Sequence, residues 1–182
     1  MLRAGIITVG DELLEGRVID RHSAAFSEKM AQLGIPVRFH LTVGDAPGAL
    51  SQVLEDLPVA VDHLLIAGGL GPTEDDRTRK EVAAALGLEL EHREDAWQRI
   101  VAYFRQRGIE ATAGNRRQAL FPAGSRELPN ACGTAPGMFI ERSTGGWWLL
   151  PGVPSEFRWM LDRYLTPALD GGRIDAAERE IL

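Results

Sequence analysis

The stretch from Asp62 to Leu86 constrains the fold more than any other. Asp62-His63-Leu64-Leu65-Ile66-Ala67 is an apolar run of strand length. It passes directly into Gly68-Gly69-Leu70-Gly71-Pro72-Thr73-Glu74-Asp75-Asp76-Arg77-Thr78, after which Arg79 to Leu86 reads as a helix. The order is therefore strand, glycine turn, helix. The same order opens the chain. Ala4 to Val9 is a β-rich run, and Gly10-Asp11-Glu12 lies at its carboxyl end. Leu13 to Ile19 reads as a loop or short turn. Asp20 is a good N-cap for a helix from about Arg21 to Leu33, with Ala25, Phe26, Met30 and Leu33 on one face and Gly34 as its stop. Ile35 to Val43 alternates as a second strand. Gly44-Asp45-Ala46-Pro47 then opens a helix that Pro58 breaks after Leu57. The resulting β-α-β-α-β-α order predicts a largely parallel sheet with helices on both faces.

The organising turn has its own chemistry. Glycines let the backbone approach a ligand with unobstructed N–H groups, and a helix behind them adds partial positive charge. That suits a phosphate. Glu74, Asp75 and Asp76 in the same turn would repel one unless a cation stood between, which points to a phosphorylated ligand with a divalent metal. The alternative is that Asp75 and Asp76 only cap the helix. Gly69 and Gly71 fall on dinucleotide-fingerprint spacing, but Glu74 stands where the last glycine belongs, and no P-loop lysine is present. Asp11 with Glu12, Asp45, and Asp75 with Asp76 follow the carboxyl ends of three separate strands. In open α/β sheets ligands bind at that edge.

The second half is less regular. Leu88 to Leu90 reads as a short strand, and Glu94 to Arg107 as a helix whose Ala96, Trp97, Ile100, Val101 and Phe104 face the core. Asn115 to Pro122 reads as a short helix stopped by proline. Arg126 to Pro129 is an expected edge strand. Met138 to Glu141 and Trp147 to Leu150 form a hairpin across Ser143-Thr144-Gly145-Gly146, which makes the sheet mixed. Pro151 to Glu156 is another glycine turn, before a helix to about Leu169. One domain is expected over residues 1–170, with 171–182 as a tail or the start of a linker.

Composition narrows the partners. The 182 residues are 45% hydrophobic and 25% charged, ordinary for a globular domain with a sizeable core. A net charge of −6 without a basic run speaks against nonspecific nucleic-acid binding. Cys132 is the sole cysteine, so no internal disulfide can form, and the four histidines lack zinc spacing. No apolar stretch is long enough to span a membrane. A cytoplasmic protein is expected. Trp147-Trp148, read as an exposed apolar hairpin, points to a homo-oligomer.

Several motifs together resemble one family. They are Gly10-Asp11-Glu12-Leu13-Leu14-x-Gly16, the G-G-L-G-P-T-x-D-D-x-T turn, Asn115-x-x-Gln118-Ala119, Gly133 to Gly137, and Leu150-Pro151-Gly152-Val153-Pro154-x-Glu156. In this order they resemble the N-terminal domain of the CinA, or competence/damage-inducible, proteins. The resemblance implies a molybdopterin-binding-like, three-layer α/β/α fold. It also implies an ADP-ribose pyrophosphatase, dependent on a divalent metal such as Mg, Mn or Co, that yields AMP and ribose 5-phosphate. The alternative is a molybdopterin or nucleotide-binding domain, or a molybdopterin adenylyltransferase. On this reading Asp45, Asp75 and Asp76 are the catalytic carboxylates, and Asp11, Glu12, Asp45 and Asp76 hold metal. The nucleotide substrate is expected to meet Gly10, Gly68, Gly69, Gly71, Pro72, Thr73, Thr78, Asn115, Gln118, Thr134, Pro151, Gly152, Pro154 and Glu156. Arg77, Arg116 or Arg117 would offset charge on the leaving phosphate. His22 departs from the family's helix-1 motif, which commonly carries asparagine there.

Overall fold

A computed structural model describes residues 2–57 and 59–171. The expected break at Pro58 and nearly all of the expected tail lie outside the described residues. The elements run β1 (Ala4–Val9), α1 (Asp11–Leu14), α2 (Arg21–Gln32), β2 (Val37–Val43), α3 (Ala49–Glu55), β3 (His63–Ala67) and α4 (Thr78–Ala85). There follow β4 (Leu90–His92), α5 (Glu94–Arg105), a 3₁₀ turn (Gly114–Ala119), β5 (Leu120–Pro122), β6 (Arg126–Leu128), β7 (Gly137–Arg142) and β8 (Gly145–Leu150). The last are α6 (Pro154–Met160), a π-helical turn (Leu161–Leu165) and α7 (Thr166–Leu169).

Six strands form one sheet in the order β2-β1-β3-β8-β7-β6. β2, β1, β3 and β8 are mutually parallel, and the β7–β8 and β6–β7 pairs are antiparallel. The sheet is thus mostly parallel and mixed, as expected. Period-two alternation splits the central strands between two cores. Ala4, Ile6, Leu65, Ala67, Trp148 and Leu150 face α2, α6 and α7. Ile7, Leu64, Ile66 and Leu149 face α3, α4 and α5. The three-layer α/β/α architecture follows from this alternation, because each face must bury its own apolar row. Each fully buried Leu, Ile or Phe contributes about 1.5–3 kcal/mol.

Local signals set several boundaries. Asp20 accepts from the amides of His22 (2.9 Å) and Ser23 (3.0 Å) and starts α2, whose Phe26 and Met30 are buried. Helix α3 begins at Gly48, which has no side chain to cap it. A carboxylate from the neighbouring helix does so instead: buried Glu81 accepts from the amides of Gly48 (2.9 Å) and Ser51 (3.0 Å). Those orphan helix donors would otherwise be desolvated without partners.

Three expectations need correction. Leu120-Phe121-Pro122 is a strand rather than the end of a helix, because Phe121 is drawn fully into the core. It pairs with β4, which shifts the expected Leu88–Leu90 strand to Leu90–His92. Asp11 and Glu12 follow β1 as expected and stand in the single helical turn α1. Trp148 is not exposed. It is completely buried in the parallel β3–β8 pair of the sheet interior, packs on Phe139 at 4.4 Å between ring centroids, and donates to Nδ1 of His63 (3.3 Å). Trp147 is half-buried under the guanidinium of Arg142. Of the exposed pair from which self-association was expected, only Trp147 keeps some exposed surface.

Candidate functional site

Register places the site. Val9 pairs with Val43, Thr8 with Ala67, and Ala67 with Leu150. Four parallel strands thus end together, and the turns that begin at Gly10, Gly44, Gly68 and Pro151 stand side by side. β2 and β3 flank β1 on opposite sides, so this edge includes the topological switch point where open α/β sheets bind ligands. A cavity of about 400 Å³ opens there.

The glycine loop forms one wall. Gly69 has φ 64°, and a Cβ on it would run into the Thr78 hydroxyl, so only glycine fits. Thr78 itself donates to the Gly68 carbonyl (2.8 Å), pinning the loop to the start of α4. Asp76 folds the loop from within. One oxygen accepts from the Gly71 amide (2.8 Å), and the other accepts from the Thr73 amide (2.9 Å) and hydroxyl (2.6 Å). Buried Arg79 does the converse and donates to the carbonyls of Leu70 and Gly71. Burial lowers its pKa to about 10, well below an ordinary guanidinium but still charged at neutral pH. The Gly68 amide is also engaged, by Leu150 (3.0 Å). The expected amide cradle is therefore narrower than residues 68–73. Among the described residues, the amides within 68–73 left without a hydrogen-bond partner are those of Gly69 and Leu70.

The opposite wall is acidic. Asp11 and Asp45 brace two turns reciprocally: the Asp11 amide donates to the Asp45 carboxylate (3.0 Å), and the Asp45 amide to that of Asp11 (2.9 Å). Glu12, Asp45 and Asp75 line the cavity. Burial raises the Asp45 pKa, and the charges of Asp11, Glu12 and Asp75 raise it further. Their mutual repulsion is what a hard cation would relieve. Among the described residues no three His, Cys, Asp or Glu side chains form a ready-made metal site. The donor set suits a cation shared with a ligand's own phosphate oxygens and water, the habit of magnesium.

The third wall carries neutral polar groups and one carboxyl. Thr112, Asn115, Gln118 and Thr134 form a hydrogen-bonded chain: Asn115 accepts from Thr112 (2.8 Å), donates to Gln118 (3.1 Å), and Gln118 donates to Thr134 (3.1 Å). Gln118 and Thr134 reach the cavity. Glu156 faces it from the first turn of α6. Burial raises its pKa, and a hydrogen bond from Asn130 (2.6 Å) partly offsets that.

Of the residues expected at the site, Gly10, Glu12, Asp45, Gly68, Gly69, Gly71, Pro72, Thr73, Asp75, Asp76, Gln118, Thr134, Pro151, Gly152 and Glu156 line this cavity. Asp11, Thr78, Asn115 and Pro154 do not, and the first three act through hydrogen bonds to those that do. Arg77 and Arg117 lie on the far side of the loop, and Arg116 is placed near Trp97. His22 packs edge-on against Phe157 (4.4 Å) and also stands outside. Val9, Ala135 and Val153 were missed as lining, and Arg79, Glu81 and Asn130 as supports. Arg79 carries no sequence signal, since an arginine in the first turn of a helix reads as solvated.

The fold and site have known counterparts. Residues 5–171 match the family described as "Probable molybdopterin binding domain". A CinA protein of Thermoplasma acidophilum, described as of unknown function, is 31% identical, with 88% of this chain and 94% of that one aligned at a TM-score of 0.79. The chain belongs to the CinA family of molybdopterin-binding-like domains. A CinA-like protein of Dictyoglomus thermophilum is 42% identical over 168 residues, which cover 92% of this chain and 41% of the relative. The chain thus spans about two-fifths of the curated relatives it matches. The molybdopterin biosynthesis enzyme MoaB of Thermus thermophilus shares the fold, with a TM-score of 0.59 and 22% identity over 96% of this chain and 99% of that one. Among the described residues no helix is long and apolar enough to cross a membrane.

Proposed function

We propose that the cavity at the strand ends binds a nucleotide diphosphate with a divalent cation, and that the domain hydrolyses ADP-ribose to AMP and ribose 5-phosphate. The observation that carries this is the opposition of two walls. Gly69 and Leu70, whose amides have no partner, line the same cavity as the mutually repelling carboxylates of Glu12, Asp45 and Asp75. A diphosphate would fit between them with a cation that Asp45, with Glu12 or Asp75, would hold, and which would offset its charge and lower the pKa of a bound water.

The chain's own residues do the rest. Asp76 and Arg79 fix the loop so that the two amides meet a phosphate oxygen without reorganising. Gln118 and Thr134 offer hydrogen bonds to ribose hydroxyls. Glu156, whose carboxyl keeps its proton to higher pH than a free one, can donate to a ligand oxygen on the wall away from the aspartates. In the reaction water adds to one phosphorus, the bridging oxygen leaves with the other phosphate, and two monoesters result.

The test is AMP release from ADP-ribose with magnesium, manganese or cobalt, set against Asp45→Asn and a chelated control. Metal-dependent AMP that is lost in the variant supports the reading. A folded protein that makes none with any metal overturns it. The matched family and the MoaB fold favour a second reading, in which the same cavity takes a molybdopterin phosphate. Formation of an adenylylated pterin from ATP, rather than AMP from ADP-ribose, would select it. A nucleotide-sized substrate and an oxygen-ligated cation are common to both.

A further inference from the structure

The glycine loop has a second side. A groove of about 310 Å³ lies behind it, walled by the start of α4, the 3₁₀ turn and β4 with β5. We propose that this outer groove is a separate binding site for a small phosphate monoester of sugar-phosphate size. It stands independently of hydrolysis at the inner cavity.

Charge is the first reason. Arg77, Lys80 and Arg117 line the groove, against Glu74. Asp76 and Arg79 line it too, but both are already spent on the loop itself. In a chain of net charge −6 this is a local reversal of sign, too small to be a polyanion surface. Availability is the second reason. Among the described residues, the side chains of Arg77 and Lys80 make no hydrogen bond or ion pair, and Nε of Arg77 is buried without a partner. Arg117 is held by the Pro72 carbonyl (3.3 Å) and by Glu74 (3.0 Å), both weak ties at an exposed position. An incoming anion can replace Glu74 on Arg117 at little expense.

The groove's shape narrows the ligand. Two arginine forks match the tetrahedral oxygens of a phosphate better than a single ammonium does. Leu90 and Leu120 supply apolar surface for an organic body, which inorganic phosphate lacks. The volume is at the small end of ligand sites, enough for a sugar phosphate and not for a dinucleotide. The groove and the inner cavity share only Thr73 and Asp76.

The experiment is calorimetric titration of the protein with ribose 5-phosphate at low salt and without divalent metal, repeated with inorganic phosphate. Proteins compared are the unaltered chain, Arg77→Ala with Lys80→Ala, Lys80→Glu alone, and Asp45→Asn at the inner cavity. Saturable binding that weakens about tenfold or more in both groove variants and holds in Asp45→Asn is the expected result. Lys80 is exposed, so Lys80→Glu keeps the fold, which thermal unfolding verifies. Absence of saturable binding overturns the proposal, as does binding lost only in Asp45→Asn. Inorganic phosphate binding as tightly as the sugar phosphate would remove the assignment to an organic ester. No turnover is read in any arm, so failure here leaves the hydrolase reading standing, and the reverse.

Discussion

The inner and outer faces of the loop between Gly69 and Arg77 meet opposite surroundings. The inner face looks at Glu12, Asp45 and the α6 carboxyl of Glu156, whereas the outer face looks at Lys80 and Arg117. Neighbouring loop residues divide between them: Asp75 lines the inner cavity, Glu74 the outer groove, and Thr73 and Asp76 both. A single turn of chain acts as a partition because its backbone is fixed from both sides, by Asp76 on its amides and Arg79 on its carbonyls. The acidic face needs a cation before it can accept a phosphate. The basic face does not.

The strongest way to break this contrast is Gly71→Ala. A Cβ there would stand 2.5 Å from an Asp76 carboxylate oxygen, so the brace and both faces shift together. AMP release should fall by roughly 100-fold or more, as when a preorganised donor is lost, and outer-groove binding should weaken in the same protein. If only one face responds, the loop is not a shared partition. Next, Asp45→Asn should lower turnover roughly 100-fold without touching the groove. Because the folded Asp45 pKa is raised, its ionised form opposes folding above the carboxylate range. The variant should therefore unfold at an equal or higher temperature at pH 7, with the difference vanishing as pH falls through the carboxylate range.

Arg79→Met tests the carbonyl side. Leaving the buried Leu70 and half-buried Gly71 carbonyls without donors should cost about 2–3 kcal/mol in urea unfolding, with loss of both binding functions. Histidine protonation should act more mildly and on neither face. Burial lowers the pKa of His63, which in its neutral form accepts from Trp148. Stability from this pair is present above the unfolded histidine pKa of about 6.5 and is lost as pH drops below it. His63→Gln should flatten that part of the stability–pH curve. Smallest of all, Glu74→Gln removes an exposed pair and should change stability by less than about 1 kcal/mol. It should tighten the outer groove, since Arg117 is freed. Unchanged groove affinity would place Arg117 outside the site.

Much of this was readable from residue order. The apolar run at 63–67, the glycines after it and Asp20 ahead of α2 each act within a few residues, so pattern and capping chemistry reveal them. Leu120 to Pro122 could not be read that way. Its proline suggested a helix stop, but burial of Phe121 against a distant helix layer overrode the local preference. Trp147-Trp148 failed for a related reason. Residues beside a hairpin turn read as exposed until the parallel pairing of β8 with β3 puts Trp148 inside the sheet.

By itself the sequence determined the strand-turn-helix order, the mostly parallel sheet and the acids that follow three strand ends. These depend on periodicity, glycine conformations and caps, which are short-range properties. Only the tertiary structure decided which groups remain free to act. Parallel register aligned four turns into one cavity, Asp76 consumed amides expected for the ligand, and Arg79 was drawn inward beneath the loop. It also sent Arg77 and Arg117 to the opposite face. Whether a polar group has a partner depends on residues tens of positions away, and only the folded packing brings those together.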